Sequence, residues 1–503
     1  MARPDLLAAI DLGSNSFHLQ VGRVVDGQIY PLDTLREVVR LGGGLTADKR
    51  IDRATQARAL EALERMGERL RGLPREAVRA VGTNALRVAK NAPQFLREAR
   101  AALGFPIEVI AGREEARLIY LGVAHALPPA PRHRLVVDIG GGSTELIIGK
   151  GLEPILTESL YMGCVSYSLA YFPEGRIDKA RMKRAELAAR QELAGIAHQY
   201  RAAGWEEAVG SSGTARALEG ILQACGYAEE GITREGMDRL RSLLVKHERA
   251  DPGRIAGLRK DRVPVLPGGV AIMNAAMDEL GIEKMAVSEG ALRHGVLYDL
   301  LGRVQHRDMR EATVAQLMRR YHVDAAQAER VRVLALRIFE AIEKKEDQEP
   351  DRLTLDWAAR LAEIGLSVAH AQYHKHSAYI LQNADMPGFS RMEQQRLARI
   401  VLAHRGKLGK VQDAGLEGAD WTLVFALRLA VLVLRSRTDV RFPMLRVAGD
   451  AAGYSLGLPQ AWLEDNPLTA AALETESERW KAIGMRFSVS ELSDKRVAEL
   501  KRA

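Results

Sequence analysis

LVVDIGGGSTELIIG, residues 135–149, decides how the rest of the chain reads. The apolar run Leu135-Val136-Val137 ends in the carboxylate Asp138. Gly140, Gly141, Gly142 and Ser143 follow, and a second apolar run, Leu146-Ile147-Ile148, leads away from Glu145. β-Branched runs on both sides of a glycine turn predict strand, tight loop, strand. Glycines let backbone N–H groups converge on an anion without interference from Cβ. Acids flanking the loop suit a magnesium–phosphate complex. From this stretch alone a plain hairpin would read the same way.

The start of the chain repeats the pattern in AIDLGSNS, residues 9–16. Aligning Asp11 with Asp138 sets Leu12 on Ile139, Gly13 on Gly140, Ser16 on Ser143 and Gly22 on Gly149. This predicts an internal duplication with one phosphate loop per half. Gly13, Ser14 and Asn15 form the first loop, and Gly140, Gly141, Gly142 and Ser143 the second. Two facing loops would grip a polyphosphate from both sides of a cleft.

Composition narrows the partner. A chain of 503 residues exceeds one compact core, so three or four domains are expected. The net charge of +7 and pI of about 9.3 favour an anionic partner. Aromatic residues are only 5% and do not interleave with the basic ones, which argues against nucleic acid and for a polymer or nucleotide that is mostly phosphate. Residues 6–10 are too short for a secretion signal, and the apolar stretch 423–434 is broken by Arg428 and shorter than the ~20 residues of a membrane span. Cys164 and Cys225 are far apart and lack metal-ligand spacing. A cytoplasmic protein with no transmembrane segment is expected, with peripheral membrane association as the alternative.

Apolar runs at 78–81, 107–110, 155–160, 206–209 and 285–287 alternate with helical patterns, which predicts an α/β layer fold. Asp52 should cap a helix to about residue 71, with Leu60, Leu63, Gly67 and Leu70 on one face. A longer helix at 179–203 should present Leu187, Gln191 and Ala194. Pro267-Gly268-Gly269 reads as a turn before a helix at 270–280, and the prolines of 128–131 as a stiff connector between halves. Glu114 and Glu115 open a helix after Gly112. They read either as carboxylates complementing the helix dipole or as a general base presented to the cleft. Arg87 reads as a phosphate clamp or a surface arginine. Ser212, Gly213 and Thr214 form a third small turn at a helix N-terminus, an anion site or a bare cap.

These residues carry a family resemblance. AIDLGSNSFH, VGTNALR, AGREEARLIYLGV, VVDIGGGSTELIIG, MGCVSYSL, GSSGTARAL, PGGVAI and SEGALRHGVLYD, in this order, resemble the exopolyphosphatase and guanosine-pentaphosphate phosphohydrolase family. That family is a branch of the actin-like, sugar kinase and Hsp70 ATPase superfamily. The resemblance is dense over residues 5–303 and looser beyond, notably at HSAYILQNADMPGF. It implies two actin-like (ribonuclease H-like) α/β domains forming a cleft, at 1–127 and 128–303. An all-α HD-like region at 304–425 and a C-terminal α/β or helical domain at 426–503 would follow.

The resemblance implies release of orthophosphate from the end of inorganic polyphosphate. Glu115 matches the family's catalytic glutamate. Asp138, Glu145 and Asp11 would hold magnesium or another divalent cation, with potassium a further candidate, and a homodimer through the C-terminal part is implied. The alternatives are the 5′-phosphohydrolase reaction on guanosine pentaphosphate and a sensor that binds guanosine tetraphosphate without turnover. ATP-driven kinases and chaperones share such duplicated loops. No separate β-rich peptide-binding region argues for a chaperone, and a water-activating carboxylate argues against a kinase through the family alone.

From about residue 305 the sequence is helix-patterned. Val331, Leu334, Ala335 and Ile338 mark one face, and Leu361, Ile364, Val368 and Ala371/Gln372 another. The metal signature of HD proteins needs a paired His-Asp, and Leu361-Ala362-Glu363-Ile364 stands there instead. His370, His374, His376 and His404 do not complete a ligand set by spacing, so packing and surface histidines and no second hydrolytic site are expected. Arg391, Arg396, Arg399, Arg405, Lys407 and Lys410 form either a track for a long anion or a solvated helix face.

Overall fold

The computed structural model describes residues 5–128, 132–305, 308–343, 348–412, 416, 418–438, 446–450 and 452–492. The expected connector at 129–131 lies outside them. Two compact units are present: Met1–Met309 with Pro387–Arg391, and Arg310–Met386 with Met392–Ala503.

The first unit contains the duplication. Its first half runs β1 (Leu6–Leu12), β2 (Phe17–Val25), β3 (Gln28–Glu37), α1 (Arg53–Arg69), β4 (Val78–Gly82), α2 (Asn84–Val88), α3 (Ala92–Leu103), β5 (Ile107–Val109) and α4 (Gly112–Ala126). Its second half runs β6 (Arg134–Ile139), β7 (Thr144–Lys150), β8 (Glu153–Leu160), α5 (Cys164–Tyr171), α6 (Lys179–Ala203), β9 (Glu207–Ser211), α7 (Ser212–Ala224), β10 (Ile232–Thr233), α8 (Arg234–His247), α9 (Leu266–Leu280), β11 (Lys284–Val287) and α10 (Leu292–Val304). The sheets are ordered β3-β2-β1-β4-β5 and β8-β7-β6-β9-β11-β10. Apart from the added β10, the second repeats the first strand for strand. Both opening hairpins are antiparallel around a four-residue loop, and the register slips at Gly22 in one half and at Gly149 in the other. The duplication read from the sequence therefore extends to the bulges.

The last helix of each half packs across the other half's sheet: α4 lies against β7 and β8, and α10 against β1 and β2. The two helices touch each other where Gly122 and Gly295 meet; a Cβ on Gly122 would come within 2.4 Å of the Ala291 carbonyl oxygen. One apolar cluster, with Leu7, Val81, Ile119, Val136, Ile147 and Val296, joins both sheets through this crossing. The crossing brings the first turn of α4 to the ends of β1 and β6.

Asp52 caps α1 as expected, accepting from the Thr55 N–H at 2.8 Å. Three local expectations are corrected. Pro267-Gly268-Gly269 lie inside the first turn of α9, not before it. Proline is tolerated there, and Gly268 is needed for close approach, since a Cβ would stand 2.5 Å from the Cys164 carbonyl oxygen of α5. In α6 the buried face is Met182, Ala185, Ala189, Leu193, Ala197 and Tyr200, and Leu187 is exposed. Alanines on that face let α6 and α9 approach, which hides the apolar period from a reading that weights leucine. In α1 the core face is Ala59, Ala62, Leu63 and Met66, with Leu60 only half-buried.

The second unit holds α11 (Met309–Arg320), α12 (Ala325–Ile342), α13 (Glu349–Leu361), α14 (Tyr373–Asn383), α15 (Arg391–Ala403), α16 (Gly409–Gln412) and α17 (Gly418–Val433). Val331, Leu334, Ala335 and Ile338 are buried in α12 as predicted. The second predicted face does not form. The helix ends at Leu361, and the Ser377 hydroxyl bonds the Gly365 N–H and the Ala362 carbonyl, folding the chain back. Val368 is left exposed. Nor is the region helical throughout. A three-stranded sheet, β12 (Arg446–Asp450), β13 (Gly453–Pro459) and β14 (Arg486–Leu492), completes it, with α18 (Gln460–Asp465) and α19 (Pro467–Lys481) in the crossover between the parallel pair β13 and β14. Tyr454, Phe487, Trp480 and Phe425 stack into its core.

Candidate functional site

The two predicted loops face each other and touch. A Cβ on Gly141 would stand 2.9 Å from Ser14 Cβ, and one on Gly142 would stand 2.5 Å from Asn84 Oδ1. Each loop is held from behind in the same way. The Ser14 and Asn15 carbonyls accept from the Gly42 and Arg40 N–H groups at 2.7 and 2.8 Å. The Gly140 and Gly141 carbonyls accept from the Cys164 and Val165 N–H groups that open α5, both at 2.9 Å. These bonds occupy four of the loop carbonyls, and within the second loop the Gly140 N–H donates to the Ser143 carbonyl at 2.9 Å.

The gap is a cleft of about 570 Å³ lined by both loops together with Asp11, Glu115, Asp138 and the third turn, Ser212-Gly213-Thr214. In that turn the hydroxyls are engaged: Ser212 and Thr214 donate to the Ile139 carbonyl at 3.0 and 2.8 Å. They pin the start of α7 to the end of β6. Ser212 adopts φ +80°, a strained value for a residue with a Cβ.

Arg87 and Glu145 stand behind the cleft wall. Arg87 Nη1 donates to Glu115 Oε2 at 2.6 Å and to the Ile110 carbonyl at 3.2 Å. The expected phosphate clamp is thus a partner of the expected base. Glu145 is 1% exposed, pairs with Asp138 across the hairpin and accepts from Ser159 Oγ at 2.8 Å.

Burial, with the Glu115 and Asp138 charges beside it, pushes the Asp11 carboxyl up to about 8. Burial, followed by Glu115, pushes Asp138 up to about 6, and burial with the same neighbours raises Glu145 well above the usual range. Acids held this way favour a cation among them. Asp11 Oδ1 is also buried without a hydrogen bond among the described residues. Among those residues, however, no three acid, histidine or cysteine side chains converge at metal-binding distance. The donor set therefore fits magnesium, which keeps several waters and takes one or two carboxylates plus phosphate oxygens, and does not fit an all-protein cage.

Five arginines that the sequence alone does not single out also line the cleft: Arg36, Arg216, Arg259, Arg262 and Arg293. Arg36 bridges the lobes by donating to Asp261 at 3.0 Å. Arg262 Nε is buried without a hydrogen bond among the described residues, its ion pair with Asp261 being 3.8 Å long, and burial lowers the pKa of both Arg262 and Arg293. Buried cations with open donors call for an anion. Arg216 and Arg293 lie inside the motifs GSSGTARAL and SEGALRHGVLYD, where the sequence alone assigns them no role. In the second unit Arg396 is neutralised by Asp351 and Asp420 and Arg405 covers the Tyr373 ring, so the basic residues there are partly engaged in packing. Among the described residues no helix is long and apolar enough to cross a membrane.

A duplicated α/β fold whose halves bring two glycine loops to one cleft defines a protein of the actin-like class. The chain belongs to the Ppx/GppA phosphatase family, which matches residues 20–304, and residues 309–477 match that family's domain III. It is 38% identical over 490 residues to a guanosine-5′-triphosphate,3′-diphosphate pyrophosphatase of Aeromonas hydrophila subsp. hydrophila, covering 96% of this chain and 98% of that one. Among solved structures it resembles an exopolyphosphatase from Cytophaga hutchinsonii, with a TM-score of 0.54 and 25% identity over 59% of this chain and 98% of that one. An exopolyphosphatase-like protein matches with a TM-score of 0.53, at 25% identity over 59% and 99%. The chain is a hydrolase of phosphoanhydride bonds.

Proposed function

We propose that the chain is an exopolyphosphatase that releases orthophosphate from the end of inorganic polyphosphate. One observation carries this reading: two contacting amide loops share a cleft with five arginines drawn from both lobes, more cationic groups than a single terminal phosphate needs.

In this reading the loop amides hold the terminal phosphate. A water attacks its phosphorus, the bond to the bridging oxygen breaks, and the water's proton passes to Glu115. Arg87 orients Glu115 through their 2.6 Å pair. The shortened chain leaves along the arginines. Asp11 and Asp138 would hold magnesium, partly through its waters, and the bound ion would neutralise phosphate charge. Phosphoryl transfer asks the protein mainly for positioning and charge stabilisation.

Guanosine pentaphosphate is a second reading. The 38% identical relative is named for it. Ala217, Gly220, Ile221 and Leu258 also give one end of the cleft an apolar floor suited to a base. Phosphate release from long-chain polyphosphate and from guanosine pentaphosphate, measured side by side with magnesium, tests both. Turnover of the polymer supports the first reading, turnover of the nucleotide alone supports the second, and release from neither contradicts both. From the family resemblance we also infer a cytoplasmic homodimer; a light-scattering mass equal to one 55.3 kDa chain would contradict the dimer.

A further inference from the structure

Glu114 precedes the expected base by one residue and has no part in the cleft wall. It is 4% exposed, and Arg117, one turn on, grips its carboxylate with two bonds of 2.8 Å. Glu114 Oε2 also accepts the Gly388 N–H at 3.0 Å. Gly388 belongs to Pro387–Arg391, which in sequence lies within the match to domain III but packs as part of the first unit. The other side of the same residue is held too: Arg303 Nη2 donates to the Gly388 carbonyl at 2.8 Å.

Asp299 closes the ring. It accepts from Arg117, from Arg79 at 2.6 Å and from Arg303 at 3.1 Å. Glu108 accepts from Arg79 at 3.1 Å. Three carboxylates thus meet three guanidiniums. Burial alone would raise Asp299, but Arg117, Arg79 and Arg303 outweigh it and hold the carboxyl well below the usual range.

The N-terminus of α4 lacks the usual means of fixation. Its cap position is Ala111, which has no side chain able to accept from the first turn. First turns without such partners fray. This turn carries Glu115, whose one side-chain ion pair among the described residues is with Arg87. Misplacing a reacting group by an ångström costs about a hundredfold in rate.

We propose that Glu114 and the loop Pro387–Arg391 form a clasp that fixes the first turn of α4 and so positions Glu115 against the substrate. Glu114 is a positioning residue; it does not touch the reacting atoms. The inference rests on the phosphohydrolase reading of the same cleft.

The test is a double-mutant cycle in the full chain, with Glu114→Gln, Arg303→Ala and both. Each single change is expected to lower kcat by tenfold or more with KM within twofold, and the double variant should be no slower than the worse single one. Hydrogen exchange of the amides of residues 113–117 should quicken in each. Losses in kcat that multiply, or wild-type kcat in folded single variants, would overturn the clasp. Should Glu114→Gln fail to fold, Arg303→Ala decides by the same readouts. Should the wild type hydrolyse neither substrate, the phosphohydrolase reading fails separately, and the exchange measurement still decides: unchanged protection in Arg303→Ala overturns the clasp.

Discussion

Gly141 and Ser14, 127 positions apart in the chain and on different lobes, lie so close that a Cβ added to Gly141 would sit 2.9 Å from Ser14 Cβ. That contact joins the two glycine loops into one surface, and it makes the absence of a side chain at 141 a condition of that surface.

Gly141→Ala should force the loops apart by a few tenths of an ångström or more. The expected result is a fall of about a hundredfold in kcat/KM, in line with the cost of misplaced catalytic groups. The fold should persist, because the loop lies outside the apolar clusters of both halves. Steady-state kinetics beside a thermal melt check this, and full activity in the variant would count against the shared surface.

Glu115→Gln keeps the shape of the side chain and removes the proton acceptor. Loss of a general base typically costs on the order of a hundred- to ten-thousandfold. Phosphate release should fall by that much while polyphosphate binding, read by fluorescence polarisation or calorimetry, stays within a fewfold. Near-normal turnover would remove Glu115 from the mechanism.

The acids of the cleft make stability depend on pH with a definite sign. Asp11 titrates at about 8 in the folded chain against 3.8 ordinarily. The folded state therefore holds this proton more tightly than the unfolded chain, and the contribution is complete below about pH 4 and lost as the pH rises through about 8. Asp138 adds a narrower window ending near 6. In the absence of divalent cations, Tm should fall between pH 5 and pH 8, and Asp11→Asn should flatten that fall. Added magnesium should raise Tm more at the upper end. A Tm slope unchanged by Asp11→Asn would contradict the assignment.

The second unit should behave in the opposite sense. Burial, aided by His374 and neighbouring cations, lowers His404 to about 3, and burial lowers His374 to about 4. His404 is held neutral between the Val401 carbonyl and the Tyr373 hydroxyl. The stability each contributes is present above about pH 6.5 and is lost as the pH falls through these lowered values. His404→Gln should reduce the slope of Tm against pH on the acid side; an unaltered slope would show that His404 does not titrate on unfolding.

The hairpins were legible because glycine turns between β-branched runs leave little alternative, and the second copy at Asp11 turned a weak motif into a duplicated one. What stayed hidden depends on long-range packing. Arg36 acquires its place only when Asp261, 225 positions later, comes opposite it. The pairing of Arg87 with Glu115 was hidden because nothing local places residues 28 positions apart in contact. Gly268 read as a turn because a glycine needed for helix contact and one needed for a bend have the same letter. For 426–503 the sequence left an α/β and a helical domain both open, because the strands of the final sheet are five to seven residues long and sit beside strong helical patterns.

The central claim, that both loops hold one terminal phosphate beside Glu115, is tested most directly by a crystal structure with a polyphosphate analogue whose bridging oxygens are methylene groups. The account predicts density for the terminal phosphate between Asn15 and Gly142, within hydrogen-bonding reach of both loops' N–H groups and facing the Glu115 carboxylate. A phosphate chain bound at full occupancy anywhere else, with the gap between those two residues empty, would contradict it.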